Sequence, residues 1–296
     1  EWFDFDMDGT GNNSDERQEL DGADLVVDFT EGSENEFWIT LRLHQGTLNV
    51  TGGLLQAQKL DLWDCWIGTV NGGTGTINQS GGEVILNFLE IARSAGATGV
   101  YNLSDGSLLL PELSRKPAYN LFLGGNDGGA GGNGTFEISG GSLTTRAGVE
   151  LVSGEAVFSV VGSAATSISI GGHDRAPTPA IPATDTEPAV DEVVFPAVDG
   201  AWLQQAGSTL MVTVDDGGLT PIVIEDADAS GDGANIEFAD GAILLPSFAG
   251  DAVEGTWTVM EFTGTVTDNG LALADGSDGW SFAIDESATP KTLSVS

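Results

Sequence analysis

Residues 134 to 143 read GTFEISGGSL, in which Phe136 and Ile138 alternate with Thr135, Glu137 and Ser139 before a pair of glycines. A period of two marks a strand with one face turned inward. The pair Gly140 and Gly141 allows the positive φ that turns a corner within two residues. The same phrase occurs as GTLNVTGGLL from Gly46, GTINQSGGEV from Gly75 and GVYNLSDGSL from Gly99. A second apolar element follows each copy: LDL from Leu60, LEI from Leu89, LFL from Leu121 and VEL from Val149. Measured from the first glycine of each copy, these begin 14, 14, 22 and 15 residues on, the third copy being lengthened by the insertion LPELSRKPAYN.

Copies start 29, 24 and 35 residues apart, a spacing typical of solenoids, whose units bury their apolar faces only against neighbours. Strand periodicity with glycine corners and no helix signal predicts an all-β chain, a parallel β-helix of four to five coils over residues 46–172. Each coil would add about 4.8 Å along the axis. Residues 1–45 form an N-terminal segment with an Asp-rich loop and the first strands. Residues 173–196 hold five of the ten prolines and read as a linker or long loop, because proline removes ladder donors. Residues 197–296 carry further strand candidates, among them LMVTV, TWTVMEF and WSFAI, between Asp/Gly turns. They are expected to form a C-terminal β region, either further coils or a capping sandwich.

Composition agrees with this reading: 43 glycines and 40% hydrophobic residues suit neither a disordered polyanion nor a helical protein. The 45 acidic residues against nine basic ones give a formal net charge of −36. Such a surface repels phosphate backbones and anionic lipid, so nucleic-acid and membrane-surface binding are excluded as expectations. No apolar run is long enough to predict insertion into a membrane. Cys65 is the single cysteine and has no internal disulfide partner. A start at Glu1 instead of Met, with the acidity, leads to the expectation of a processed product secreted to the extracellular surface.

Two stretches have calcium-loop spacing. Asp4, Asp6, Asp8, Gly9, Thr10 and Asp15 occupy positions 1, 3, 5, 6, 7 and 12 of such a loop, where alternate carboxylates converge because the chain turns at the glycine. Asp226, Asp228, Ser230, Gly231 and Glu237 repeat the spacing less completely. Ca²⁺ is therefore the expected cofactor, the alternative at each place being a solvated acidic turn. Neither stretch carries catalytic groups. The basic residues Arg93, Arg115, Lys116 and Arg146 are scattered, only Arg115 and Lys116 being adjacent, within the insertion of the third copy. The expectation is a protein that is not an enzyme.

The glycine-rich rungs, followed by elements such as LEI, resemble the extracellular autotransporter-like and PEP-CTERM-sorted β-helix proteins of environmental bacteria. The resemblance extends through GSTLMVTVDDGGLTPIVI (207–224) and LALADGSDGWSFAIDESATPKTLSVS (271–296). It implies a surface, adhesion or matrix component without catalytic residues. The expected function is a secreted structural protein that self-assembles into a filament or layer, as a homo-oligomer joined through β-helix ends or an N-terminal strand. A carbohydrate-binding adhesin with a polysaccharide partner is the alternative, and a polysaccharide-active β-helix enzyme a further one. Trp63, Cys65 and Trp66 are candidates for burial between subunits, or for ordinary internal packing.

Overall fold

The computed structural model describes most of residues 73–111, 119–172, 199–227 and 234–296. It also describes short strands at Gln18–Leu20, Glu34–Phe37, Leu41–Leu43, Gly46–Val50, Leu54–Ala57, Asp64–Ile67, Arg175–Thr178 and Val193–Phe195. The protein is all-β, with parallel sheets and no helix among the described residues. One large sheet has nine described strands; the other bends at glycine corners within Thr74–Leu86 and Thr98–Leu110 into a nearly closed, barrel-like wall.

The copies of the glycine phrase lie side by side. Gly46 is in register with Gly75, Gly75 with Gly99 and Gly99 with Gly134, all in parallel. The ladder continues beyond the phrase: Asn133–Ile138 pairs Val157–Val161, then Thr209–Val214, Ile243–Phe248 and Ala272–Leu273. A second parallel ladder runs through the later halves of the two long strands to Gly141–Thr145, Ala165–Ile170, Ile222–Ile224 and Trp257–Phe262. The nine-stranded sheet is the third ladder, in which Asp64–Ile67, Phe88–Ile91, Tyr119–Leu123, Gly148–Leu151, Ala201–Gln204, Asn235–Phe238 and Thr265–Asp268 follow one another. The element in register with LEI is thus Asp64–Ile67; the LDL of residues 60–62 lies outside the described residues.

Register turns the alternation of the sequence into continuous apolar columns. In the first ladder Leu48, Ile77, Tyr101, Phe136, Phe158, Leu210 and Leu244 stand one on the next, all buried. The three aromatics stack, Tyr101 on Phe136 at 5.5 Å and Phe136 on Phe158 at 5.2 Å between ring centroids. Trp202 of the third ladder meets Phe158 edge-on at 5.2 Å. The second ladder contributes Val84, Leu108, Leu143, Ile168, Ile222 and Met260.

Gln79 interrupts the neighbouring column of Val50, Leu103 and Ile138 and is fully buried. A buried amide costs stability unless its hydrogen bonds are made. Here the Gln79 amide donates to the carbonyls of Gly82 and Ser107, and its oxygen accepts from the Tyr101 hydroxyl at 2.6 Å. On the other side of the same ladder, the Asn position of the phrase forms a chain of amides. Asn102 donates to Asn78 at 2.8 Å and Asn78 to Asn49 at 2.9 Å; the next register position is Glu137.

The final strands break the parallel rule. Lys291–Val295 lies antiparallel on Trp257–Phe262, and Phe282–Asp285 antiparallel on Lys291–Val295. Within the proline-rich stretch, Arg175–Thr178 and Val193–Phe195 pair antiparallel with each other.

Candidate functional site

Asp4, Asp6, Asp8, Thr10 and Asp15 lie outside the described residues, as do Asp228, Ser230, Trp63, Arg115 and Lys116. Of the second Asp-rich stretch, Glu237 is exposed on the nine-stranded sheet, in register with Leu203 and Thr267. Asp226 instead lines a cavity of about 290 Å³ with Glu225, Glu261, Phe262, Thr263 and Pro290. Ser169 donates to Glu225 at 3.2 Å. Among the described residues no group of three or more His, Cys, Asp or Glu side chains is arranged to hold a metal ion. Cys65 and Trp66 occupy third-ladder positions beside Leu89 and Glu90. Arg93 pairs with the buried Glu90, and Arg146 is itself buried.

Several acidic residues are occupied at corners. Asp215 accepts from the Ser163 backbone at 3.1 Å, the Ser163 hydroxyl at 3.0 Å and the Gly217 backbone at 2.9 Å. These bonds, the Ser163 N–H first, hold its carboxyl below the usual aspartate range. Asp268 receives the Gly270 and Leu271 N–H groups, and Asp199 that of Ala227. Corner N–H groups have no ladder partner, and a carboxylate is the acceptor that satisfies two or three at once.

Stability should therefore depend on pH. Asp215 has a depressed folded pKa, so its contribution is present above the unfolded value of about 3.9 and fades as pH falls through the folded one. Asp215→Asn is expected to lower the melting temperature at pH 7, with the gap closing as pH falls through the depressed folded pKa. Thermal unfolding followed at pH 7 and through the acid range checks this. The Tyr119 phenol moves the other way, pushed up to about 12 by burial and then by Glu150 and Glu237.

Two surface features stand apart from this structural chemistry. The first is the pair of outer edges of the nine-stranded sheet. Gln18–Leu20 pairs only with Leu41–Leu43, and Thr265–Asp268 only with Asn235–Phe238, among the described residues. Both run parallel to every strand between them. The Asn269 N–H donates to Phe238 at 2.9 Å. Donors alternate sides along a strand, so the N–H groups of Val266 and Asp268 face the open side. Thr265, Thr267 and Asp268 are exposed.

The second feature is aromatic. Phe248 ends one strand of the first ladder, Trp257 begins the next strand of the second, and Trp280 closes the turn from Ser277 through a 3.1 Å backbone bond. Their centroids lie 5.4 Å apart for Phe248 and Trp257, 4.5 Å for Phe248 and Trp280, and 6.0 Å for Trp257 and Trp280. Trp257 and Trp280 are half-buried against the core. Phe248, 45% exposed, is the one large hydrophobic residue described that faces solvent. In the sequence these segments read only as strands; the usable signal is aromatics placed at strand ends next to Asp/Gly turns.

No family model, curated protein or solved structure matches the chain.

Proposed function

We propose that the chain is a parallel β-helix acting as a structural protein of an extracellular surface, which assembles head to tail into filaments. The observation that carries this is that, among the described residues, the nine-stranded sheet begins at Gln18–Leu20 and ends at Thr265–Asp268, two co-directional strands each paired on one side alone. Exposed strand edges present unpaired donors and acceptors that recruit further strands. Because the two edges differ and share one direction, their contact is heterologous and does not close, which gives fibres instead of rings. Nine rungs correspond to about 40 Å of axial length per copy. An outside location suits the acidity: copies bearing −36 each approach one another only where salt screens the repulsion.

Purified chain examined by sedimentation velocity and electron microscopy is expected to form polymers, more of them as salt rises from about 0.01 to 0.5 M. Val266→Pro removes an outward N–H at an edge position where proline is tolerated, and is expected to give monomers with an unchanged circular dichroism spectrum. Monomers of the unaltered chain at every salt and protein concentration would remove the proposal.

A further inference from the structure

We propose that the corner built by Phe248, Trp257 and Trp280 is a binding site for a cationic polypeptide segment, whose arginine guanidinium lies on the exposed Phe248 ring while the neighbouring carboxylates pair with its flanking charges. The geometry supplies the aromatic part. At 4.5 Å between centroids and 33° between planes, Trp280 stacks on one face of Phe248, and Trp257 and Trp280 both pack on the core. Phe248, 45% exposed, presents the rest of its ring to solvent. A cation over such a face within about 6 Å is attracted by the ring quadrupole.

Charge decides the occupant. The turn after Phe248 is tied to the preceding corner by the Asp251 N–H donating to Asp216 at 2.8 Å, and Asp216, Asp251 and Glu254 are all exposed. Asp278, also exposed, lies in the turn that carries Trp280. From residue 199 to 296 the sequence has 17 Asp and Glu residues and a single basic one, Lys291. That lysine already donates to the Gly264 carbonyl at 2.6 Å and faces Glu286, so this region supplies no cation of its own to the rings. An anionic partner is repelled, and a neutral glycan would gain from the rings but nothing from the field. A basic segment gains from both. Arginine is favoured over lysine because its planar guanidinium stacks on a ring and forks to a carboxylate.

The test separates ring recognition from general attraction to an acidic surface. Hexa-arginine, hexa-lysine and cellohexaose are titrated into the full chain at about 0.15 M salt, with binding read by tryptophan fluorescence and calorimetry. Hexa-arginine is expected to bind about five-fold more tightly than hexa-lysine. Phe248→Ala should abolish that preference, as should Phe248→Leu, which keeps apolar bulk but no π face. Asp251→Asn combined with Asp278→Asn should weaken both peptides and flatten the salt dependence. Equal affinity for the two peptides, unchanged in the Phe248 variants, would reduce the site to nonspecific attraction and overturn the proposal. Tighter binding of cellohexaose, or no binding of either peptide, would overturn it as well.

Discussion

Gly106→Ala is expected to destabilise the protein by about 3–5 kcal/mol, lowering its urea midpoint far more than most single-methyl additions. Gly106 has φ +86°, where a side chain costs roughly 1–3 kcal/mol. An ideal Cβ there would also stand 2.3 Å from the Gly82 carbonyl oxygen and 2.7 Å from the Gly81 carbonyl carbon. Both atoms belong to the corner beneath and are held by register pairs on either side of it. The backbone cannot yield without opening the ladder, which is the source of the further few kcal/mol. Gly276 is the control. It has the same φ of +86°, and a Cβ there would meet nothing within 4 Å, so Gly276→Ala carries the conformational cost alone, about 1–2 kcal/mol. Equal losses in the two variants would show that the close approach of successive corners contributes nothing.

The same contrast explains what was legible in the sequence. The two glycines of the phrase have different tasks. The corner glycines Gly82, Gly106 and Gly141 take the positive φ, whereas the preceding Gly81 and Gly140 are small because a Cβ would meet the Thr51 or Ser104 carbonyl oxygen at 2.4 or 2.0 Å; in the third copy Asp105 stands at that preceding place. Both demands act on the backbone directly, so the phrase survives in the sequence and its copies align in the register that the ladders adopt. Beyond Gly134 the leading glycine gives way to Ala156, Ser208 and Ala242, the residues just before Val157, Thr209 and Ile243, which continue the ladder. A Cβ on Gly134 would stand 2.2 Å from the Gly124 backbone nitrogen; later positions tolerate a small side chain. Only apolar alternation remained to be read there, and alternation alone does not say which strand is the neighbour.

The aromatic corner was illegible for a related reason. Phe248, Trp257 and Trp280 are spread over 33 residues of sequence and meet only because a turn, a ladder step and the antiparallel reversal at Lys291–Val295 bring them together. The acidic stretch at Asp226 is legible in the sequence as ligand-set spacing. Of its members, Asp226 lines a cavity with Glu225 and Glu261 and Glu237 holds an exposed strand position, whereas Asp228 and Ser230 lie outside the described residues.

Phe136→Ala should cost about 3–5 kcal/mol, comparable to Gly106→Ala but by emptying space instead of filling it. Phe136 is fully buried and stacked on both sides, its plane within 25° of Tyr101 and 26° of Phe158. Truncation removes the transfer energy of the ring and leaves a cavity that the strands above and below cannot close. Their spacing is set by backbone hydrogen bonds at about 4.8 Å, not by side-chain size. It also deprives Tyr101 of its upper neighbour, while the Tyr101 hydroxyl remains tied to the buried Gln79. Loss of packing at Phe136 therefore reaches the polar group that is most costly to disturb. Phe136→Leu keeps most of the volume and is expected to cost under about 1.5 kcal/mol. Urea unfolding with near-ultraviolet circular dichroism distinguishes the cases: the Ala variant should lose aromatic ellipticity and stability together, the Leu variant little of either. If alanine is tolerated as well as leucine, the column can collapse locally, and the stacked aromatics are not what holds successive strands at this register.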